Sequence, residues 1–197
     1  MLLNDILKGK RLVLASNSPR RQELLKGLDV DFEVWQTNHD NESYPSDLSV
    51  DQVPMYLAKH KASFFTDRLT NDIILITCDT IVICDGAILG KPFDYSDAFK
   101  ILQQLSGNKH TVITGVCLSV KSKSMCFSSQ TDVYFRNITD DEINYYVNRY
   151  SPYDKAGAYG IQEWIGFVGI EKIEGSYFNV MGLPVQRLHN ELIKFLK

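Results

Sequence analysis

Apolar residues recur along the chain with two different spacings, and the two spacings alternate. Short β-branched or aliphatic runs indicate strands, whereas apolar positions three or four residues apart indicate helices. Strands are predicted over residues 11–15, 31–36, 110–120, 125–135 and 169–173, as two stretches within 73–84, and after the Asp85-Gly86 turn. Helices are predicted over residues 19–26, 49–66, 96–105, 139–150 and 184–196.

Three of these helices begin with residues that favour helix starts. The first has Ser18 as its cap, Pro19 at its first position and Gly27 as its terminator. The second and the fourth begin with a capping box, in which two side chains three residues apart bind each other's backbone amides: Ser49 with Gln52, and Thr139 with Glu142.

The alternation of strands and helices continues without a linker or a repeat, which is typical of an α/β fold. We therefore predict a single α/β domain over residues 1–197. No apolar run reaches the roughly 18 residues that cross a bilayer, and the first residues do not resemble a secretory signal. We expect a soluble, cytoplasmic protein that does not bind a membrane.

The balance of charged residues bears on whether the protein binds nucleic acid. The chain carries 21 Lys and Arg against 24 Asp and Glu, and the resulting net charge of −3 argues against a protein that coats nucleic acid. A small cationic pocket remains compatible with this balance. The four cysteines form no Cys-x-x-Cys pair, and we expect reduced core thiols rather than a zinc or redox site at Cys78, Cys84, Cys117 and Cys126.

The first candidate site is the segment 16–21, where a predicted strand ends and a helix begins. Free backbone amides at a helix start attract anions, and the guanidinium groups of Arg20 and Arg21 suit phosphate through paired hydrogen bonds. The alternative is two solvated surface arginines behind an ordinary serine cap.

The second candidate is Asp79, which stands with Thr80 between two apolar stretches. A carboxylate in such a place costs free energy unless a cation or hydrogen bonds compensate for its charge. Catalytic and metal-binding aspartates commonly lie at strand ends in α/β folds. Either Asp79 serves such a site, or backbone amides at a bend satisfy it.

The third candidate is Lys91, in the segment 90–94. Residues 86–91 resemble a Walker phosphate loop, but they are one spacer residue short, and Pro92 stands where a hydroxyl should hold magnesium. We reject that interpretation, and no glycine fingerprint of a dinucleotide fold is present either. Lys91 faces either a phosphate or solvent.

The fourth candidate is the loop 154–162, which contains Lys155, two glycines and Gln162. It offers charge, close backbone approach and an amide that can read the edge of a base, although a solvated loop is the alternative. Lys61 lies on a predicted helix, where we expect it to face solvent. Glu42 belongs to an acidic cluster that is either a ligand for a hard cation or only a polar turn.

The order of these segments along the chain is more specific than any one of them. The blocks are residues 14–21, 57–58 with 61–62, 79–80, 89–92, 105–107 with 114–115, 154–159, 161–162, and 175–177 ending in 182–184. This series resembles the Maf family of nucleoside triphosphate pyrophosphatases, from residue 11 to about residue 188.

The resemblance implies an α/β fold with a mixed, twisted sheet flanked by helices, in two lobes around a nucleotide cleft, as in the inosine-triphosphatase-like fold. It also implies hydrolysis between the α and β phosphates, with Mg²⁺ or Mn²⁺ as the cofactor, and it suggests a homodimer. By position, Asp79 corresponds to the proton acceptor and a metal ligand, and Glu42 to a second metal position. The implied substrate-binding residues are Ser16, Arg20, Arg21, Lys61, Thr80, Lys91, Lys155 and Gln162.

Within the family, Arg20, Thr80 and Gln162 together resemble the branch that acts on dTTP and UTP. Relatives that act on 7-methyl-GTP typically carry Trp, Gln and Glu at those places. Glu163 and Trp164 depart from the common pattern, in which glycine often follows the glutamine. Modified pyrimidine nucleotides are a further substrate class in this interpretation.

A different function would also retain the nucleotide-binding residues. A non-catalytic, nucleotide-binding regulator of cell division and septum formation needs the segment 16–21 and the lysines, but it does not need Asp79. The intact Asp79-Thr80 pair therefore favours an enzyme.

Overall fold

The computed structural model describes residues 2–37 and 43–197. Its strands are β1 (Arg11–Ala15), β2 (Glu33–Trp35), β3 (Ile73–Cys84), β4 (Ala87–Leu89), β5 (Lys109–Ser119), β6 (Ser124–Phe135) and β7 (Ile170–Glu174). Its α-helices are α1 (Leu3–Ile6), α2 (Pro19–Lys26), α3 (Val53–Ser63), α4 (Tyr95–Leu105), α5 (Asp140–Tyr150), α6 (Trp164–Gly169), α7 (Tyr177–Met181) and α8 (Val185–Leu196). None of the helices in these two stretches is long and apolar enough to span a bilayer.

The strands form one mixed sheet in the order β2-β1-β3-β5-β6-β7, and β4 pairs with β3 beside this path. β1 runs parallel to β2 and β3, whereas β4 is antiparallel to β3 and β7 is antiparallel to β6. Only residues 120–123 join β5 to β6, and a connection this short cannot form a parallel crossover. The prediction of a mixed sheet accompanied by helices is confirmed.

The chain divides into two compact units, in agreement with the two lobes that the resemblance implies. The first unit comprises residues 1–79, 114–129 and 182–197, and the second comprises residues 80–113 and 130–181. The change of unit within β3 falls between Asp79 and Thr80. The interpretation of residues 1–197 as a single domain stays a prediction.

The core of the first unit is built on β1 and on the first half of β3. Both segments are almost entirely buried, as expected of parallel strands covered on both faces. Val13 and Leu75 pack there with Trp35 and Phe65, whose ring centroids lie 5.6 Å apart. The guanidinium of Arg68 covers the Trp35 ring at 3.7 Å. This packing fixes the strand that leads to Asp79.

The second unit has its own core, to which α4 and α5 contribute. The predicted capping box at the start of α5 is confirmed, because Thr139 and Glu142 bind each other's backbone amides. The Arg136 guanidinium beside Glu142 lowers the pKa of that carboxyl to about 2. Ile143 and Tyr146 of the same helix are fully buried.

Two details of the predicted helix starts are wrong. The side chain of Ser18 accepts no capping bond, although α2 begins at Pro19 and ends at Lys26, directly before Gly27, as expected. The box of Ser49 and Gln52 does not form either, because residues 50–52 make a 3-10 turn and α3 begins only at Val53. Pro54 suits the first turn of an α-helix, where its missing amide hydrogen costs nothing, and this places the start of α3.

The predicted break inside residues 73–84 is also absent, since β3 continues through Asp79. The expectation of four reduced thiols is wrong for one pair, because Cys117 and Cys126 form a disulfide. The β5–β6 hairpin brings their Cα atoms to a separation of 4.1 Å. The spacing of the two cysteines in the sequence does not predict this pairing. Cys78 and Cys84 are free and buried, and burial raises the pKa of both thiols.

His110 is a buried histidine of β5 in the second unit. Its Nε2 shares a hydrogen bond of 2.7 Å with the Tyr159 hydroxyl, and its ring packs edge-on against Phe135 and Tyr159. No described residue binds its Nδ1. Burial lowers the pKa of His110 to about 4, so the folded protein holds a neutral imidazole.

This burial predicts a loss of stability in acid. At pH values between the ordinary pKa of 6.5 and the lowered pKa of about 4, His110 is protonated in the unfolded chain but neutral in the folded chain. Stability conferred by the neutral imidazole is therefore complete above pH 6.5 and falls by about 3 kcal/mol as the pH drops to 4. Urea unfolding from pH 4 to 7 should show a shallower pH dependence for His110→Phe than for the wild type. His189→Gln is the control, and a wild-type slope in His110→Phe would contradict the assignment.

Candidate active site

Asp79 lies among the apolar residues of β3, and only 5% of it is exposed. Its Oδ1 accepts a short hydrogen bond from the ammonium group of Lys61 in α3. Across residues 2–37 and 43–197, no backbone amide donates to this carboxylate. A cation, and not a bend of the backbone, therefore compensates for the charge of Asp79.

The expectation that Lys61 faces solvent is wrong, because only 17% of its side chain is exposed. It lies three positions after Ala58, on the side of α3 that packs inward. The Thr77 hydroxyl donates to the Ala58 carbonyl at 2.7 Å and so attaches α3 to β3 two residues before Asp79. The inward face of α3 and this one hydrogen bond place the ammonium beside the carboxylate.

Arg21 is the second predicted residue that reaches this part of β3. Its Nη1 donates to the carbonyl of Cys78 at 3.0 Å, and its Nε donates to the carbonyl of Gly182 at 2.9 Å. The alternative of a solvated surface arginine is therefore wrong for Arg21. Both acceptors are carbonyl oxygens, and these two contacts orient the guanidinium. Arg20, the neighbouring residue in the first turn of α2, is partly buried.

Ser16 stands at the end of β1. Because β1 runs parallel to β3 with Leu14 opposite Ile76, Ser16 and Cys78 lie toward the same end of the two strands. Ser16 is buried, and its Oγ accepts the backbone amide of Ser18 at 3.2 Å. The segment 16–21 thus has the polar strand-to-helix turn that the sequence predicts.

Asp79 is the predicted metal ligand that lies within the described residues. The part of the chain that the structure describes contains no group of three or more Asp, Glu, His or Cys side chains able to hold a metal. Mg²⁺ commonly takes one or two protein carboxylates and completes its shell with phosphate oxygens and water. The single carboxylate of Asp79 fits this pattern. The second predicted ligand, Glu42, lies outside the described residues.

In the second unit, two predicted loops are joined through their backbones. Lys91 is exposed, and it follows β4 and Gly90. The amide of Gly157 donates to the Gly90 carbonyl at 3.0 Å. Gly157 has a φ of +71°, and a Cβ there would meet the Val82 side chain at 2.9 Å, so only glycine fits. Thr80, the first residue of this unit in β3, is partly buried.

The loop 154–162 is not a solvated loop. Lys155 is buried and forms ion pairs with Asp154 at 2.8 Å and with Glu163 at 3.1 Å. Gln162 carries a buried Oε1 that accepts no hydrogen bond from any described residue. A buried acceptor without a donor costs free energy, and such a group suggests a ligand that supplies the donor.

Sequence reasoning missed the two residues that support this loop. In the sequence, Glu163 is distinguished only as a departure from the common pattern of the family, and Tyr146 was not predicted to contribute to the site. In the structure the Tyr146 hydroxyl donates a short hydrogen bond to Glu163 and accepts one from the amide of Gly160. An acidic residue directly after Gln162 was the available signal for Glu163, and no signal in the sequence marks Tyr146.

A family model described as Maf-like protein matches residues 11–195. The chain belongs to the Maf family. A relative from Parabacteroides distasonis is 50% identical over 96% of this chain and 98% of its own, and one from Bacteroides fragilis is 52% identical over 92% and 94%. Both are named dTTP/UTP pyrophosphatase. The solved structure of a HAM1 protein from Coxiella burnetii is similar at a TM-score of 0.49 and 16% identity, covering 94% of this chain and 99% of the other, which is too weak for a statement about the site.

The loop that carries Gln162 in this Maf-family chain requires glycine at position 166, in α6. An added Cβ there would lie 1.8 Å from the Ile161 carbonyl oxygen. We expect Gly166→Ala to lower the melting temperature by roughly 2–12 °C, from an overpacking cost of about 1–3 kcal/mol. Gly90→Ala is the matched control, because nothing lies within 4 Å of its added Cβ. Equal melting temperatures for the two variants in thermal denaturation would contradict this account.

Proposed function

We propose that this protein hydrolyses dTTP and UTP to the nucleoside monophosphate and pyrophosphate, as a hydrolase acting on acid anhydrides. The observation that carries the proposal is the buried Asp79 carboxylate, which is compensated by Lys61 and not by backbone amides. The names of the Parabacteroides and Bacteroides relatives support the same reaction and the same substrates. Modified pyrimidine nucleotides are a further substrate class.

In this reaction Asp79 takes a proton from water as the water oxygen bonds to the α phosphorus. The bond from that phosphorus to the bridging oxygen then breaks, and pyrophosphate leaves with the bond's electron pair. Charge accumulates on the departing phosphates, so cationic side chains that bind them lower the barrier. Arg20 and Arg21 at the start of α2, with Lys61, are the groups of the first unit that we assign to this task. Lys91 and Lys155 have the same role in the proposal.

Mg²⁺ or Mn²⁺, when bound, would neutralise phosphate charge, as in other phosphoryl transfer reactions. Asp79 is the described carboxylate that would ligate the ion, and Glu42 is the second ligand in the proposal. One carboxylate oxygen of Asp79 binds Lys61, and the other carboxylate oxygen would bind the ion. The proposal also includes a homodimer in the cytoplasm.

In the proposal Gln162 and Thr80 face the base, and Ser16 is a further polar residue that binds the substrate. Uracil and thymine present an N–H donor at N3 between two carbonyl acceptors, whereas cytosine presents an acceptor at N3. The buried Oε1 of Gln162 accepts nothing from the described residues, and it would accept the N3–H of uracil or thymine. This pairing accounts for a preference for dTTP and UTP over CTP.

Replacing Asp79 with asparagine tests the reaction. The carboxamide would keep the shape of the side chain but could not accept the proton, so we expect turnover of UTP with Mn²⁺ to fall by about 10²–10⁴. Pyrophosphate release is the measurement, and circular dichroism verifies that the variant folds. Asp67→Asn, at an exposed carboxylate of the same unit, should keep wild-type turnover. Wild-type turnover in Asp79→Asn would refute the role assigned to Asp79.

Replacing Gln162 with glutamate tests the base assignment. A carboxylate cannot donate to a carbonyl oxygen of uracil, but it can accept from the N1–H and amino group of guanine. We expect the ratio of kcat/KM for UTP to that for 7-methyl-GTP to fall in Gln162→Glu by about tenfold or more, the scale of one hydrogen bond. Steady-state kinetics with both nucleotides gives the ratio, and an unchanged ratio would rule out base reading by Gln162.

A further inference from the structure

Glu163 binds two partners through separate carboxylate oxygens. Its Oε2 accepts a short hydrogen bond from the hydroxyl of Tyr146, a fully buried residue of α5. Its Oε1 pairs with the ammonium of Lys155 at 3.1 Å. Burial and the neighbouring carboxylate raise the pKa of Tyr146, so its hydroxyl remains a donor. Glu163 therefore connects the loop to a helix of the core.

The same contacts close the turn formed by residues 160–163. The Tyr146 hydroxyl accepts the amide of Gly160 at 3.0 Å, and the Glu163 amide donates to the Gly160 carbonyl at 3.0 Å. Gly166 then donates its amide to the Glu163 carbonyl at 2.9 Å, which attaches the turn to α6. Both ends of the turn are thus held, one by Tyr146 and one by α6.

Gln162 occupies this turn beside Glu163. A Cβ added to Gly160 would lie 2.9 Å from the Glu163 carboxyl carbon and 3.1 Å from the Gln162 Nε2, so both side chains pack against the same backbone position. The Gln162 Oε1 stays buried although no described residue donates to it. A freely rotating amide would turn such an acceptor toward water, so its surroundings must hold it in place.

We propose that Glu163 is a positioning residue: by binding Tyr146 and Lys155 together it fixes Gln162 and so sets the discrimination between pyrimidine bases. This rests on the proposed function, in which Gln162 contacts the base. Glu163 itself touches no reacting atom. Binding energy is gained when a recognising group is already held in the orientation that its ligand requires, and lost when the group must be ordered on binding.

Three variants separate the two contacts of Glu163. Glu163→Ala removes both, Glu163→Gln keeps an acceptor for Tyr146 but loses the ion pair with Lys155, and Tyr146→Phe keeps the ion pair but loses the hydroxyl. We expect the ratio of kcat/KM for UTP to that for CTP to fall about tenfold in Glu163→Ala, the scale of one ordered hydrogen bond, and by less in the other two. The loss should appear as a higher KM for UTP with kcat nearly unchanged, as for uniform binding.

One control variant and the melting temperature distinguish positioning from mere stability. Glu171→Gln, an exposed glutamate of β7 in the same unit, should keep the wild-type ratio. A purely structural role would lower the melting temperature and affect both nucleotides equally. An unchanged ratio in folded Glu163→Ala would overturn the proposal, as would a wild type that does not distinguish UTP from CTP. If Glu163→Ala does not fold, Glu163→Gln and Tyr146→Phe decide the question by the same ratio.

A binding experiment separates this proposal from the proposed reaction. Calorimetry with the non-hydrolysable α,β-methylene analogues of UTP and CTP measures the ratio of dissociation constants without turnover. A wild type that releases no pyrophosphate would overturn the proposed hydrolysis, yet the dissociation constants would still report on Glu163. We expect Glu163→Ala to reduce their ratio about tenfold, in parallel with the kinetic ratio. No change in the binding ratio would refute the positioning role alone.

Discussion

The pairing of Asp79 with Lys61 is the interaction on which the first unit's arrangement depends. β3 pairs with β1, β4 and β5, and its 12 residues are nearly all buried. A carboxylate inside such a strand would demand a bend or a hydrating loop if its charge were not compensated. With the ammonium of Lys61 on its Oδ1, the strand continues without interruption. One ion pair thereby stabilises a buried carboxylate within the sheet.

In the second unit, too, buried polar groups are stabilised by partners. Lys155 is buried but bound by two carboxylates, and Tyr146 is buried but bound to Glu163 and to a backbone amide. Gln162 is the exception in this loop, because its Oε1 is buried without a donor from the described residues. The neighbouring buried polar groups have hydrogen-bond partners, so an unpaired acceptor among them is unusual. A ligand with a suitable donor would remove the free-energy cost of leaving this acceptor unpaired.

Features set by local chemistry could be predicted from the sequence. The capping box of Thr139 and Glu142 and the limits of α2 need only neighbours within a few residues. The inward position of Lys61 and the disulfide of Cys117 with Cys126 could not be predicted, because each depends on segments brought together by packing or by strand register. The resemblance to the Maf family rests on the order of several short blocks along the chain, and no single block would have established it.

The contacts of three basic residues show how far the charge of a side chain depends on its partners. Lys61 and Lys155 are already paired with carboxylates, so each would attract an anion less strongly than its formal charge indicates. Arg21 donates hydrogen bonds to the carbonyls of Cys78 and Gly182. Those two contacts orient its guanidinium. Net charge averages over the whole surface and therefore says little about the pairing and orientation of individual cations.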